Sequence, residues 1–119
     1  MEKTQEQPLG SKLNLVTGYI AFGSVDEART ICRKLINDKL IACANILPEH
    51  EAIYSWENQI KSSKEVSAII KTSQHAINAI NQLLQETHSY ECPCFIHWGI
   101  DGGNNHFLDW ITQQTKESL

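Results

Sequence analysis

The chain lacks a long apolar run, a basic surplus and a dense set of cysteines. No apolar run approaches the ~20 residues that a membrane-spanning helix needs, and the N-terminal residues lack the apolar core of a signal peptide, so we expect a cytoplasmic protein without a membrane span. Ten basic and fourteen acidic residues give a net charge of -4, which argues against a nucleic-acid partner. Four cysteines in 119 residues that are 41% hydrophobic do not indicate a disulfide scaffold, so we expect reduced thiols.

What is present fits one folded domain. A chain of this length can bury one core but not two. The polar segment 1–12 predicts a flexible N-terminal tail, and residues 13–119 form the predicted domain.

Hydrophobic periodicity predicts the element order β-α-β-β-α-β-α. Ser24 followed by Glu27 is a capping box that predicts the start of the first helix, and Asn104 or Asn105 predicts the start of the last one. The last helix is expected to bury Phe107, Leu108, Trp110 and Ile111. The four predicted strands are 13–22, a bent ribbon that runs through 41–47 and resumes at 53–56, 65–72 and 95–100. The predicted helices are 24–38, 74–86 and 104–117.

The segment 41–65 predicts an arm that assembles the protein. Residues 41–47 are almost wholly apolar, which favours a strand buried on both faces. Pro48 then bends the chain before a second strand, and the polar residues 58–64 predict a hairpin turn. A ribbon this long on a small domain must either bend around the domain or project from it. We interpret it as projecting, and exposed sheet edges tend to pair with other chains.

This order predicts an α+β fold, a ferredoxin-like β-α-β-β-α-β sandwich with an extra C-terminal helix. Both long helices are expected on one face of the sheet. The other face carries Leu15, Tyr19 and Ile69 and would be left bare. A bare apolar face predicts a partner, and the simplest partner is another copy of the chain.

Several segments resemble the CutA divalent-cation-tolerance proteins. They occur in order between about residues 14 and 115 and read KLINDKLIACANILP, IYSWENQI, Glu65 with IIKT, HSYECP and FLDW. The resemblance implies a homotrimer with a PII-like architecture, cytoplasmic residence and an association with copper and other divalent metals. Where the family usually reads His-Pro-Tyr-Glu-x-Pro-Glu, this chain has Ser89 and Cys94 in place of the first proline and the last glutamate.

The candidate metal ligands are thiols and one histidine. The resemblance places Cys43 and His88 at positions of the family's proposed ligands, and copper(I) prefers such soft donors. Cys92 and Cys94 are a second candidate pair. If Cys94 begins a strand, we expect their sulfur atoms to point to opposite faces, although a bend at the intervening proline would relieve that. Cys32 lies in a helical apolar stripe and is predicted to be a buried core residue.

Two functions of different classes follow. The first is a homotrimeric divalent-cation (copper) tolerance protein that binds metal through Cys and His donors. The alternative is a PII-like trimeric signalling or scaffold module, whose clefts would need Lys71 and His88 facing solvent and Cys43 buried. We do not expect an enzyme, because no oxyanion-hole signature accompanies Cys43 and His88.

Overall fold

The computed structural model describes residues 14–115, and within them the chain folds into five strands and three α-helices. The elements are β1 (Leu15–Phe22), α1 (Val25–Asn37), β2 (Cys43–Ile46), β3 (His50–Trp56), β4 (Gln59–Ser73), α2 (Ile77–Thr87), β5 (Cys94–Gly99) and α3 (Asn105–Gln114), with a 3-10 turn (Gln74–Ala76) before α2. The predicted tail, 1–12, lies outside the described residues, as do residue 13 and residues 116–119.

The main sheet is antiparallel, with the strand order β2-β4-β1-β5. Helices α1 and α2 share one hydrophobic core with one face of this sheet. Its fully buried members include Ile20, Phe22, Leu35, Ile70 and Ile80. The predicted α+β, ferredoxin-like arrangement with both long helices on one face is confirmed.

The predicted helix caps are confirmed by their hydrogen bonds. The Ser24 hydroxyl accepts the Glu27 backbone N–H at 3.1 Å, and the Asn104 side-chain oxygen accepts the Phe107 N–H at 3.0 Å. Both bonds satisfy a donor that the first helical turn leaves unpaired. The buried apolar face of α1 is narrower than the spacing of its apolar residues predicted, because Ile36 is exposed.

The arm is a hairpin with a much tighter turn than predicted. Glu57 and Asn58 have positive φ angles, 52° and 65°, and alone connect β3 to β4. Two such residues make the turn whose twist matches paired strands. The interpretation of 58–64 as a turn was therefore right for Asn58 and wrong for residues 59–64. Residues 59–64 belong to β4, where the arm exposes both faces to solvent and tolerates polar side chains.

Strand β2 is shorter and less buried than its composition predicted. It spans Cys43–Ile46, and of the predicted strand 41–47 only Ile41 and Ala42 are buried. The expectation of burial on both faces was wrong because β2 is an edge strand, paired only with β4.

Helix α3 covers part of the face that was predicted to be bare. Leu108 and Ile111 form a second small core with Leu15 and Ala42. Leu15 is therefore buried, contrary to the expectation for that face. The predicted burial of Phe107 and Trp110 was also wrong, because α3 turns both of these rings away from this core and leaves them exposed.

The rest of this face, which we call the open sheet face, remains uncovered in the single chain. Tyr19 of β1 pairs with Ile69 of β4 and Ile96 of β5, and Thr17 pairs with Trp98, so these residues share one side of the sheet. Ile96 is 58% exposed and Trp98 is 49% exposed. An apolar surface remains where the sequence predicted one, although it is smaller.

Within residues 14–115, none of the helices has both the length and the apolar character needed to cross a membrane.

Candidate functional site

The loop that follows α2 holds a histidine pointed into the protein. The His88 side chain is fully buried and stacks on Phe22, with ring centroids 5.3 Å apart. Its Nε2–H donates to the Ala21 carbonyl at 2.7 Å, and its Nδ1 accepts the Tyr90 N–H at 3.0 Å. These partners require a neutral ring with one donor and one acceptor nitrogen. Binding a metal through His88 would require one of the two bonds to break.

A carboxylate from α1 holds the same loop. Glu27 accepts the Gly23 N–H at 3.0 Å and the Ser89 N–H at 2.7 Å, and lies 3.8 Å from His88 Nδ1. Burial raises the pKa of Glu27, but the hydrogen bonds from Gly23 and Ser89 outweigh it, so the net pKa lies below its usual value. Sequence reasoning had given Glu27 only a capping role, because Ser89 is distant in the chain.

A second carboxylate connects the loop to the base of the arm. The Tyr90 hydroxyl donates to Glu65 of β4 at 2.9 Å, and the Tyr90 ring packs against His88 with centroids 4.8 Å apart. Burial, followed by the Glu65 carboxylate, raises the pKa of Tyr90, which therefore stays protonated and continues to donate. Glu65 therefore has a specific partner within its own chain.

Between the arm and this loop lies a cleft of about 680 Å³, which we call the arm cleft. Its lining combines aromatic rings, both signs of charge and two thiols: Tyr54, Trp56, Tyr90, Lys61, Lys64, Glu65, Glu91, Cys92 and Cys94. A concave site with a few polar groups on an apolar lining is typical of small-ligand sites.

The two thiols of the C-x-C segment lie in the same place. Cys92 and Cys94 are free, exposed and both line the arm cleft. The expectation that their sulfur atoms point to opposite faces was wrong, because residues two apart in an extended chain share a side. Burial, then the Glu65 carboxylate, raises the pKa of Cys94, and the Cys92 thiol adds to this shift. A hydrogen bond from the Ala21 backbone N–H partly offsets these effects on the pKa of Cys94.

Cys43 lies elsewhere. It sits on the open sheet face, half-buried, opposite Lys71 of β4. Lys71 pairs in turn with Thr17 of β1, whereas Cys94 of β5 pairs with Ala21, four residues further along β1. Strand β5 is three strands from β2 in the sheet. Cys43 and Cys94 are therefore separated by about 14 Å across the strands and about 13 Å along them. Since His88 is bonded to Ala21, it also lies at the far end. Within one chain Cys43 therefore cannot share a metal ion with the other candidates.

Cys32 has the structural role predicted for it. It is buried in the main core, and burial raises the pKa of its thiol to about 11. A thiol with so little thiolate at neutral pH is a poor nucleophile and metal ligand. Among the described residues, no group of three or more His, Cys, Asp or Glu side chains is placed to hold a metal ion.

The sequence pattern of residues 16–114 matches the family model of the CutA1 divalent ion tolerance protein. This chain belongs to that family. It is 35% identical to the divalent-cation tolerance protein CutA of Pyrococcus horikoshii over 87% of this chain and all of that protein. It is 32% identical to the chloroplastic CutA 1 protein of rice over 84% of this chain, and spans 56% of that longer protein.

Solved CutA structures share the fold. The crystal structure of CutA1 from Oryza sativa superimposes with a TM-score of 0.84 at 31% identity, and the match covers 87% of this chain and 95% of that chain. The divalent cation tolerance protein of Thermus thermophilus gives a TM-score of 0.83 at 31% identity, covering 85% of this chain and 98% of the other.

The two departures from the usual CutA motif have structural consequences. Ser89 replaces a proline, and its backbone N–H is the donor that holds Glu27. A proline has no N–H, so it could not make this bond. In this chain a hydrogen bond therefore restrains the turn, whereas in the usual family motif the proline ring would restrain it. Cys94 replaces a glutamate and puts a second thiol into the arm cleft.

Proposed function

We propose that this CutA-family chain is a cytoplasmic, homotrimeric divalent-cation tolerance protein that holds copper or a similar soft metal by binding. The observation that carries the metal assignment is the placement of Cys92 and Cys94 together in the arm cleft. Copper(I) is bound by soft thiolate donors of this kind. Cys43 and His88 stay predicted ligands, but the fold separates them, and His88 is already hydrogen-bonded at both nitrogens.

In this proposal the thiols of the arm cleft bind the metal. Cys92 and Cys94 supply the sulfur donors, and Glu65 supplies negative charge near Cys94. Lys61 and Lys64 border the same space. Bound metal would neutralise charge on the deprotonated thiols, so metal binding releases protons and weakens as the pH falls. The tolerance function would then be sequestration.

A copper(I) titration against a competing chelator, without oxygen and with fully reduced protein, tests the assignment. We expect the parent to retain copper, and the Cys92→Ser/Cys94→Ser variant to lose at least about tenfold in affinity, or ~1.4 kcal/mol. Cys43→Ser is the matched control and should bind like the parent. Loss of binding in Cys43→Ser alone would move the site to the open sheet face. Parent binding no tighter than that of the double variant would favour the PII-like scaffold function instead.

The homotrimer rests on surfaces that a single chain leaves uncovered. Ile96 and Trp98 are exposed on the open sheet face, and Ile60 on the arm is 85% exposed. The arm portion of β4, residues 59–65, pairs with β3 along one edge. Its other edge is not paired with β1, because the pairing of β1 with β4 begins only at Val66. Such edges and apolar patches are costly to leave in water.

Light scattering checks this assembly. We expect a mass of about three times the 13.5 kDa chain, because closed symmetric assemblies bury equivalent surfaces on every copy. Ile96→Asp should lower the mass toward that of the single chain. Ile36→Asp, which places the same charge on an exposed apolar position of α1, is the matched control and should leave the mass unchanged. A parent of single-chain mass would refute the trimer.

A further inference from the structure

The C-x-C segment carries chemistry that metal binding does not require. Cys92 and Cys94 are free and exposed, whereas Cys32 is buried and Cys43 lies at the far end of the sheet. We propose that Cys92 and Cys94 are a reversible thiol-modification site, which a small-molecule disulfide converts into an intrachain Cys92–Cys94 disulfide.

The backbone path suits such a bond. Two residues of fully extended chain span at most about 7 Å, and disulfides join Cα atoms about 4.4–6.8 Å apart. The upper end of the disulfide range overlaps this span. Cys92 lies in a bend outside strand β5, which begins only at Cys94, so sheet pairing restrains only one of the two cysteines. Pro93 has a nearly fixed φ angle, which limits the conformations that must be lost when the bond closes. Both side chains already face the same cleft.

The chemistry is thiol–disulfide exchange. The Cys92 thiolate attacks one sulfur of the small-molecule disulfide, whose S–S bond breaks and releases one thiolate. The Cys94 thiolate then attacks the Cys92 sulfur and displaces the second small-molecule thiolate. Overall the two protein thiols lose two protons and two electrons, and the small-molecule disulfide is reduced to two thiols. We assign the first attack to Cys92 because it lies in the loop, while Cys94 is held in β5 opposite Ala21.

The bond would be readily reversible. Exposed or strained disulfides are more oxidising than structural ones and are reduced more easily. A ring closed across a single residue, in an open cleft, belongs to this labile class. If the metal proposal above also holds, oxidation removes both thiolate donors, so the cleft could hold either the disulfide or a soft metal. The disulfide itself does not depend on that proposal.

The experiment uses the metal-free protein in glutathione buffers of increasing disulfide content, with chelator present. After an acid quench, remaining thiols are alkylated and the protein is measured by intact mass and peptide mapping. We expect two thiols to disappear together and a linked Cys92–Cys94 peptide to form. Excess dithiothreitol should restore both thiols fully. Cys43→Ser is the matched control and should lose the same two thiols.

A further variant tests the order of attack. Cys94→Ser should retain glutathione as a stable mixed disulfide on Cys92, because the resolving thiol is missing. Persistent glutathione adducts on the parent, disulfides between chains, or independent loss of the two thiols would overturn the proposal. So would a Cys94→Ser variant that traps no adduct. Because the copper titration uses reduced protein and this one uses no metal, failure of one does not imply failure of the other.

Discussion

Replacing His88 with alanine is expected to lower the free energy of unfolding by roughly 3–5 kcal/mol, as for other buried aromatic rings. The substitution removes the stack on Phe22 and leaves the Ala21 carbonyl without its donor. It also frees the Tyr90 N–H, which His88 Nδ1 accepts. Denaturant unfolding at one fixed protein concentration measures the change, since dissociation of an oligomer would otherwise shift the midpoint.

This experiment also separates a structural role from a metal-ligand role. His106→Ala is the matched control, because His106 is exposed on α3, and it should change stability by less than about 0.5 kcal/mol. If His88→Ala leaves the unfolding curve unchanged but weakens copper binding, then His88 acts as a metal ligand and its burial and two hydrogen bonds do not stabilise the fold.

Replacing Gly18 with valine is expected to cost about 3 kcal/mol through overpacking. A Cβ atom at Gly18 would lie 2.9 Å from Phe95 Cε1 and 3.1 Å from Ile70 Cγ1. It would also lie 3.2 Å from the Ile96 carbonyl oxygen, which cannot move without disturbing the pairing of β1 with β5. Thermal or denaturant unfolding of parent and variant measures this cost.

Gly99→Val is the matched control for Gly18→Val. Gly99 is also in a strand of the same sheet, but a Cβ there would meet nothing within 4 Å. We expect little change in stability, because the added side chain points into open space. Equal destabilisation by both substitutions would show that loss of glycine from the strands, and not the close approach of Phe95, determines the cost.

The main sandwich was predictable because its signals are local. Alternation along β1, the helical spacing of α1 and α2, and the Ser24 and Asn104 caps are each determined by residues within one or two turns of each other. Burial follows from such patterns when an element contributes one apolar face to one core. The buried position of Cys32 was predicted correctly for the same reason.

The arm shows where local reasoning fails. Polar residues 59–64 are typical of a turn, yet they form a strand because β3 pairs with them along their full length. Strand β2 has the composition of a buried strand, but its place at the sheet edge leaves much of it exposed. In both segments, pairing with a neighbouring strand determines the outcome, and a single stretch of sequence does not encode that neighbour.

By itself the sequence determined the order of the elements outside the arm, the two long helices on one face, and membership of a family whose motifs run through the domain. The predicted single ribbon of residues 41–56 is two strands, β2 and β3. Only the tertiary structure decided which candidate residues meet. It separated Cys43 from His88, bonded His88 at both nitrogens, and brought Cys92 and Cys94 into one cleft with Glu65. The physical reason is that periodicity specifies which side of an element a residue occupies, whereas distances between elements depend on strand order and packing across the whole chain.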